Sequence, residues 1–392
     1  MTEPTLLVLG CSAQQLPVID AAHQRGLRVV GIDPDPEAAG ATVVDSFVVA
    51  DLGDHEACLA TAMRARPAGV LTFAADYPVP MVARIAEQLN LVGPSQATAR
   101  AMTDKLAMRS RLAAAGLATP RFAPVTGPDD VAVFGRPAVI KPTQASGSRG
   151  VAAVDGRDPS SLIDAARAES ADGKALIEEY VPGPEVSIEA VTIGGRTTIL
   201  AMTDKLTSGP PDFVELGHTQ PSRLTERSGE LAALTTKTLC ALGLRSGPSH
   251  TEIRLGPRGP VVIEAAARFG GGCIASHLLP IAAHIQAADV AVTMALGGTG
   301  QVEPSIGGGA AVRFLTPRGG VVRSIAGLDE VRGWSGVVEA VVEVAVGDRV
   351  GPMRSARDRV GYVVASGPTA AEAGLLADRA AASITIETSP RS

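Results

Sequence analysis

The chain has 392 residues, 45% of them apolar, and a net charge of −6, which is enough material for two or three domains with proper cores. The charge is modest and no basic run stands out, which argues against nucleic acid or an anionic membrane as a partner. Aromatic residues make up only 3%, so the apolar share is mostly aliphatic, as in a soluble protein.

From residue 5 to about 95, strand signals at Leu6–Leu9, Arg28–Ile32 and Gly69–Phe73 alternate with helix signals at Gln14–Arg25 and His55–Ala65. This βαβ series predicts a parallel, Rossmann-like sheet. The first loop, Gly10-Cys11-Ser12-Ala13-Gln14-Gln15, lacks two glycines of the dinucleotide fingerprint, although Asp33 ends the second strand where a ribose-binding acid would sit. An NAD site is therefore disfavoured. A helical segment carrying Lys105 follows and stops by Gly116 and Pro120.

Ala138 to Lys141 reads as a strand, then comes a small-residue loop through Ser146-Gly147-Ser148, then a second strand from Val151. Ala175 to Glu179 gives another strand, Pro182-Gly183-Pro184 a linker, and Glu185 opens an alternating strand. Around Glu252 and Glu264 two apolar runs flank the turn Gly256–Pro260, which predicts an antiparallel hairpin with the two acids side by side. Ile281 to Leu296 contains His284, Gln286 and Asp289, so it fails as a bilayer span and reads as one buried helix. Beyond residue 300, strands are expected at Ala310–Leu315, Val337–Val346 and Gly361–Ala365, and a helix at Thr369–Ala382. No basic flank precedes Leu6, so no signal peptide is supported and the cytoplasm is the expected location. The four cysteines are widely spaced without a C-x-x-C pair, which points to idle thiols, Cys273 included.

Adjacent carboxylates repel unless a cation sits between them, and oxygen-only ligands suit Mg²⁺ bridging nucleotide phosphates. Glu252 and Glu264 thus form a candidate metal pair, against the plainer reading of two solvated strand-edge acids. The Ser146-Gly147-Ser148 loop can fold its N–H groups over phosphate while Lys141 supplies a point charge, though many hairpins look similar. It is not a Walker loop, because the lysine precedes the glycines. Only five of the 35 basic residues are lysine (Lys105, Lys141, Lys174, Lys205 and Lys237), which gives weight to the lysine of this loop, whereas Lys174 follows a turn and reads as surface. The wording Thr203-Asp204-Lys205-Leu206 repeats Thr103-Asp104-Lys105-Leu106, but unmatched flanks make this a coincidence. The linker after Glu179 can present main-chain groups to a purine edge, or it is an ordinary hinge.

In order and spacing, Lys105, the Lys141 loop, the Glu178–Glu185 stretch, Glu252 and Glu264-x-x-x-Arg268 resemble the ATP-grasp fold over residues 100 to 300. That resemblance implies an α/β architecture with an N-terminal Rossmann-like domain, a small α+β lid and an antiparallel C-terminal platform. The expected divisions are 1–100, 101–183, 184–300 and a β-rich extension at 301–392. It also implies that Lys105, Lys141, Ser146, Gly147 and Ser148 bind ATP phosphates. Glu178, Glu179 and Val181 would face the adenine, Glu185 the ribose, Glu252 and Glu264 would ligate Mg²⁺ or Mn²⁺, and Arg268 would steady an acyl phosphate. One departure is Ala266, where many members carry a metal-contacting asparagine.

The stretches Asp212 to Ser222 and Gly247 to Glu252 resemble the L-amino-acid ligase branch, with Glu215 and His218 at an amino-acid pocket or merely pinning a loop. Gly272, where relatives carry a bulky residue, implies extra room. The expected activity is an ATP-dependent carboxylate–amine ligase that joins an amino acid to an amine through an acyl phosphate, releasing ADP and phosphate. Its partners would be small molecules, with a homodimer compatible. The alternatives are a carboxylase-like enzyme activating bicarbonate or formate and a non-catalytic nucleotide-binding relic.

Overall fold

The computed structural model describes residues 3–299, 302, 303, 305 and 307–389. The strand Thr5–Leu9 is buried along its whole length, as a central parallel strand covered on both faces must be. It pairs in parallel with Arg28–Asp33 on one side and Gly69–Leu71 on the other, and Ser46–Val49 adds an outer strand. One face of this sheet packs on helices His55–Ala65 and Val79–Leu89 through Leu7, Leu9, Cys58, Met81 and Ile85. The other shares a core with Phe269, Leu279 and Val292 from far along the chain. The N-terminal sheet is thereby fixed against the segment that carries Arg268.

A second, antiparallel sheet runs Phe122–Val125, Ala175–Glu179, Ala138–Pro142 and Ala152–Ala153, covered by helices Pro128–Phe134 and Pro159–Glu169. Tyr180 to Pro184 connects it to the platform, an antiparallel sheet of eight strands. Their spatial order is Gly259–Ala266, Gly247–Gly256, Glu185–Ile193, Arg196–Thr207, Glu215–Gln220, Gly309–Phe314, Gly361–Gly367 and Val337–Val342. Helix Ser228–Leu242 covers one face of the first half of this sheet, with Leu231 on Val186, Ile188 and Ile253, and Leu239 and Leu242 on Val262. A small sheet of Gly320–Ala326, Arg349–Val350 and Thr385–Ser389 completes the C-terminal part.

Two expectations change. The single helix expected over Ile281–Leu296 is broken: Leu279–Ala283 ends at His284 in the left-handed region (φ 55°), and Ala287–Ala295 starts afresh across a bend of 112°. Among the described residues no single helix is long and apolar enough to cross a membrane. The strand Arg196–Thr207 was not anticipated, and the segment Thr203–Leu206 set aside as a coincidence lies inside it.

Candidate active site

Charges alternate across the platform. Because Val186 and Ile188 turn toward helix Ser228–Leu242, the acids Glu185 and Glu189 take the opposite face of their strand. On four successive strands the register then sets Arg254 beside Glu185, Glu185 beside Lys205, and Lys205 beside His218. Opposite signs therefore meet as cross-strand neighbours in the first two of these pairs. Glu252 lies across from Glu264 on the expected hairpin, and His250 lies across from Glu189. A bulge opposite the step from Glu252 to Ile253 lets Ile263 and Glu264, adjacent in sequence, both line the same cleft.

Lys205 is the hub. Its Nζ is 3.0 Å from Glu185 Oε1, 2.8 Å from Glu215 Oε1, and in contact with Glu252 Oε1. Burial works against its charge, but Glu185, Glu215 and Glu252 hold its pKa well above the ordinary lysine value. Burial would likewise favour the neutral acids, yet the Lys205 ammonium keeps Glu215 and Glu252 ionised far below the usual carboxylate range. His250 bridges Glu189, on Nδ1, and Glu252, 3.1 Å from Nε2. Burial alone would lower its pKa; the Glu189 carboxylate overrides this and raises it to about 9, so the ring is an imidazolium. His218 is the reverse case. Burial pushes it down to about 3, leaving a neutral ring whose Nδ1 has no hydrogen-bond partner among the described residues.

A cleft between the sheet that holds Ala138–Pro142 and the platform is lined by Lys105, Lys141, Ser146, Gly147, Ser148, Glu178, Glu179, Val181, Glu185, Glu252 and Glu264. Every residue expected at the nucleotide and metal sites thus faces one space. Asp104 caps the helix Lys105–Ala114, and Lys105 Nζ donates to Ala145 O at 2.7 Å and Glu264 Oε1 at 3.2 Å. In the loop, Gly147, Ser148 and Gly150 adopt left-handed φ angles of 66°, 58° and 64°. A Cβ on Gly150 would come within 3.1 Å of Ala166 Cα, so the loop can lie this close to its helix only as glycine.

An adjoining cavity shares Ser146, Gly147, Glu215, Glu252 and Glu264 with the cleft and adds His218, Arg268 and Gly272. The three residues expected to do chemistry, Glu215, His218 and Arg268, therefore meet beside the nucleotide space.

Some side chains are committed in ways that their types did not reveal. Glu178 is 1% exposed and is held by Arg109 Nε and Lys141 Nζ, each at 2.7 Å. Burial would raise its pKa, but the two cations bring it down to about 2. Its carboxylate belongs to the foundation of the lid, and Lys141 is a mostly buried partner in it. Glu185 is paired with Arg254 Nε at 2.7 Å as well as with Lys205. Arg254 also donates to Val181 O at 3.1 Å and lies near the Tyr180 and Phe213 rings, fixing the linker after Glu179. Arg268 is gripped by both oxygens of Asp76, from the N-terminal region, and donates to Phe269 O at 3.1 Å.

The room expected at Gly272 is a correction. Its φ is 58°, and an added Cβ would lie 2.9 Å from His218 Nε2, so the position sets the loop path beside His218. Cys273 is an idle thiol, as expected, its pKa pushed up to about 12 by burial.

Comparison with known proteins places this geometry. The model of the ATP-grasp domain matches residues 134–276, and that of the L-amino acid ligase C-terminal domain 2 matches residues 313–389. The uncharacterized protein y4rH of Sinorhizobium fredii is 32% identical over 334 residues, covering 82% of this chain and 69% of its own. The crystal structure of an L-amino acid ligase from Bacillus licheniformis superposes with a TM-score of 0.85 at 26% identity, covering all of both chains (100% each).

The chain belongs to the ATP-grasp family, in its L-amino-acid-ligase-like branch. It is an ADP-forming carbon–nitrogen ligase. Carnosine synthase 1 of Gallus gallus is 28% identical over 288 residues, 65% of this chain but only 31% of that longer protein, and purine-pathway ligases of the same fold match as well. ATP-grasp ligases use ATP with a divalent metal. The donor set fits such an ion: Glu252 and Glu264 are cross-strand neighbours facing the cleft, and each leans on an ammonium, Lys205 and Lys105 respectively. Nucleotide phosphate oxygens and water would complete the shell. Buried Ala266 offers no donor, and its cross-strand neighbour is the His250 imidazolium.

The Glu178 foundation can be tested by stability. Arg109→Met removes one partner of a buried pair and should cost about 3 kcal/mol or more, read from urea unfolding. In the parent, Glu178 has a folded pKa of about 2 against an ordinary 4.5, so its contribution is present above pH 4.5 and is lost as pH falls through 2. The acid slope of stability should be shallower in Glu178→Gln. Equal slopes in the two proteins would show that the pair does not form.

Proposed function

We propose that this enzyme activates the carboxylate of an amino acid with ATP and transfers the acyl group to an amine. The carboxylate oxygen attacks the γ-phosphorus, the bond from that phosphorus to the β–γ bridging oxygen breaks, and ADP leaves. The amine nitrogen then attacks the carbonyl carbon, the bond to the phosphate oxygen breaks, and the amine's proton passes to solvent. The observation that carries the reading is the continuity of the two spaces: Glu215, Glu252 and Glu264 line both the nucleotide cleft and the cavity holding His218 and Arg268.

In this reading Lys105, Lys141 and the Ser146-Gly147-Ser148 backbone take the phosphates. The Glu178–Val181 main chain borders the adenine. Glu185 accepts from ribose hydroxyls with the lone pairs that Arg254 and Lys205 leave free. Glu252 and Glu264 would hold Mg²⁺, or Mn²⁺ in its place, which supplies charge neutralisation at the phosphates when bound. Lys205 reaches the cleft from the platform and would exchange carboxylate contacts for the γ-phosphate. Arg268, held in place by Asp76, presents its positive charge where charge develops on the acyl phosphate. Neutral His218 offers a hydrogen bond rather than a charge. The likeness over the whole chain to an L-amino acid ligase favours an amino acid over those acids.

ADP release in a panel of amino acids, alone and in pairs, should exceed release with bicarbonate or formate. Greater release with either small acid would overturn the amino-acid reading. Glu264→Gln should keep the fold and lose about a hundredfold in turnover, since a contact of this kind supplies about 3 kcal/mol to the transition state. Unchanged turnover in the folded variant would remove the hairpin acids from the mechanism.

A further inference from the structure

The segment between strands Arg349–Val350 and Gly361–Gly367 is laid over the mouth of the substrate cavity, with Ala356 N donating to Gly147 O in the phosphate loop at 3.0 Å. It brings in Arg359. The guanidinium lies over the Phe314 ring, 3.6 Å from its centroid, and Nη2 donates to Glu215 O at 3.1 Å and Oε2 at 2.8 Å. Its Nε is buried without a partner, and among the described residues Nη1 makes no hydrogen bond. Arg359 lines both the cavity that holds His218 and Arg268 and a neighbouring one walled by Phe73, Cys273, Phe314 and Tyr362.

The other guanidinium groups are differently placed. Arg268 is spent on Asp76 and Phe269 O, Arg149 on Ser146 O and Glu169, and Arg357 is largely exposed. Arg359 shares Glu215 with Lys205, which meets the acid's other oxygen at 2.8 Å, so this contact does not use up its charge. What remains is a planar cation with unspent donors, rigidly seated on an aromatic face, between a cavity beside the nucleotide and one leading away from it. The Nη1 hydrogens of this cation suit a carboxylate oxygen, in a charge-assisted hydrogen bond.

The chemistry says which carboxylate. The acyl donor's carboxylate is consumed at the γ-phosphate, whereas an amino acid serving as the amine keeps its own throughout. We propose that Arg359 binds the carboxylate of the amine-bearing substrate and so selects amino acids over simple amines as acceptors. This rests on the ligase reading above and adds to it the class of the second substrate and the residue that selects it.

The test is steady-state ADP release with a saturating donor amino acid and varied acceptor, comparing L-alanine with L-alaninamide and repeating the pair with other amino acids. The parent should prefer the free acid. Arg359→Gln should raise the acceptor KM for the acid at least tenfold while leaving the KM values for the amide and for ATP unchanged. Arg359→Lys keeps the charge but loses the guanidinium's fixed placement of Nη1, and should show the same selective rise in smaller measure. It carries the test should the glutamine variant not fold. Equal effects on acid and amide, or none on either, would overturn the assignment of Arg359 while leaving the ligase reading intact. ADP release by the parent with no amino acid at all would overturn both.

Discussion

One buried ammonium organises the catalytic face. Lys205 touches Glu185, Glu215 and Glu252, acids from three other strands of the platform, and is 3% exposed. Three carboxylates this close would repel and in part take up protons without it. With it, and with Arg254, His250 and Arg359 on the outer sides, Glu215 and Glu252 stay ionised and all three acids are held in place. In the proposed reading the arrangement is poised for exchange, because nucleotide phosphates and a metal would carry the same two signs of charge as the internal partners. Burial makes that exchange worth more than it would be in water, because unpaired charges in such a site are costly.

The surrounding parts each contribute one restraint to this face. The lid rests on the Arg109–Glu178–Lys141 cluster, which ties the phosphate lysine to the linker strand. The N-terminal sheet shares its core with Phe269 and sends Asp76 to hold Arg268. The C-terminal segment closes the far side, docking Ala356 on the phosphate loop and Arg359 on Glu215. A substrate cavity enclosed by pieces this distant in sequence can vary its specificity through the outer pieces while the charged rows of the platform stay fixed.

Much of this was legible in the sequence because it depends on local pattern. The apolar strands of the first domain, the Gly256–Gly259 turn that sets Glu252 across from Glu264, and the lysine preceding a Gly/Ser loop are all short-range signals. What escaped depends on cross-strand register. Lys205 lay in view as one of five lysines, but its strand, Arg-Thr-Thr-Ile-Leu-Ala-Met-Thr-Asp-Lys-Leu-Thr, is too polar to announce itself, and its three partners come from distant strands. Asp76, Arg109 and Arg359 meet their partners 192, 69 and 144 residues away. No spacing rule reaches that far. Gly272 misled for a different reason: a small residue suggests room, whereas its positive φ and the His218 ring show a backbone requirement.

The account turns on a carboxylate oxygen becoming a phosphate oxygen. An amino acid labelled with ¹⁸O in its carboxylate, incubated with ATP, an amine substrate and the enzyme, should yield inorganic phosphate carrying one ¹⁸O atom, detected by mass spectrometry. Phosphate free of label, while ADP and product accumulate, would mean that the γ-phosphate goes to another acceptor such as water, and would contradict activation through an acyl phosphate.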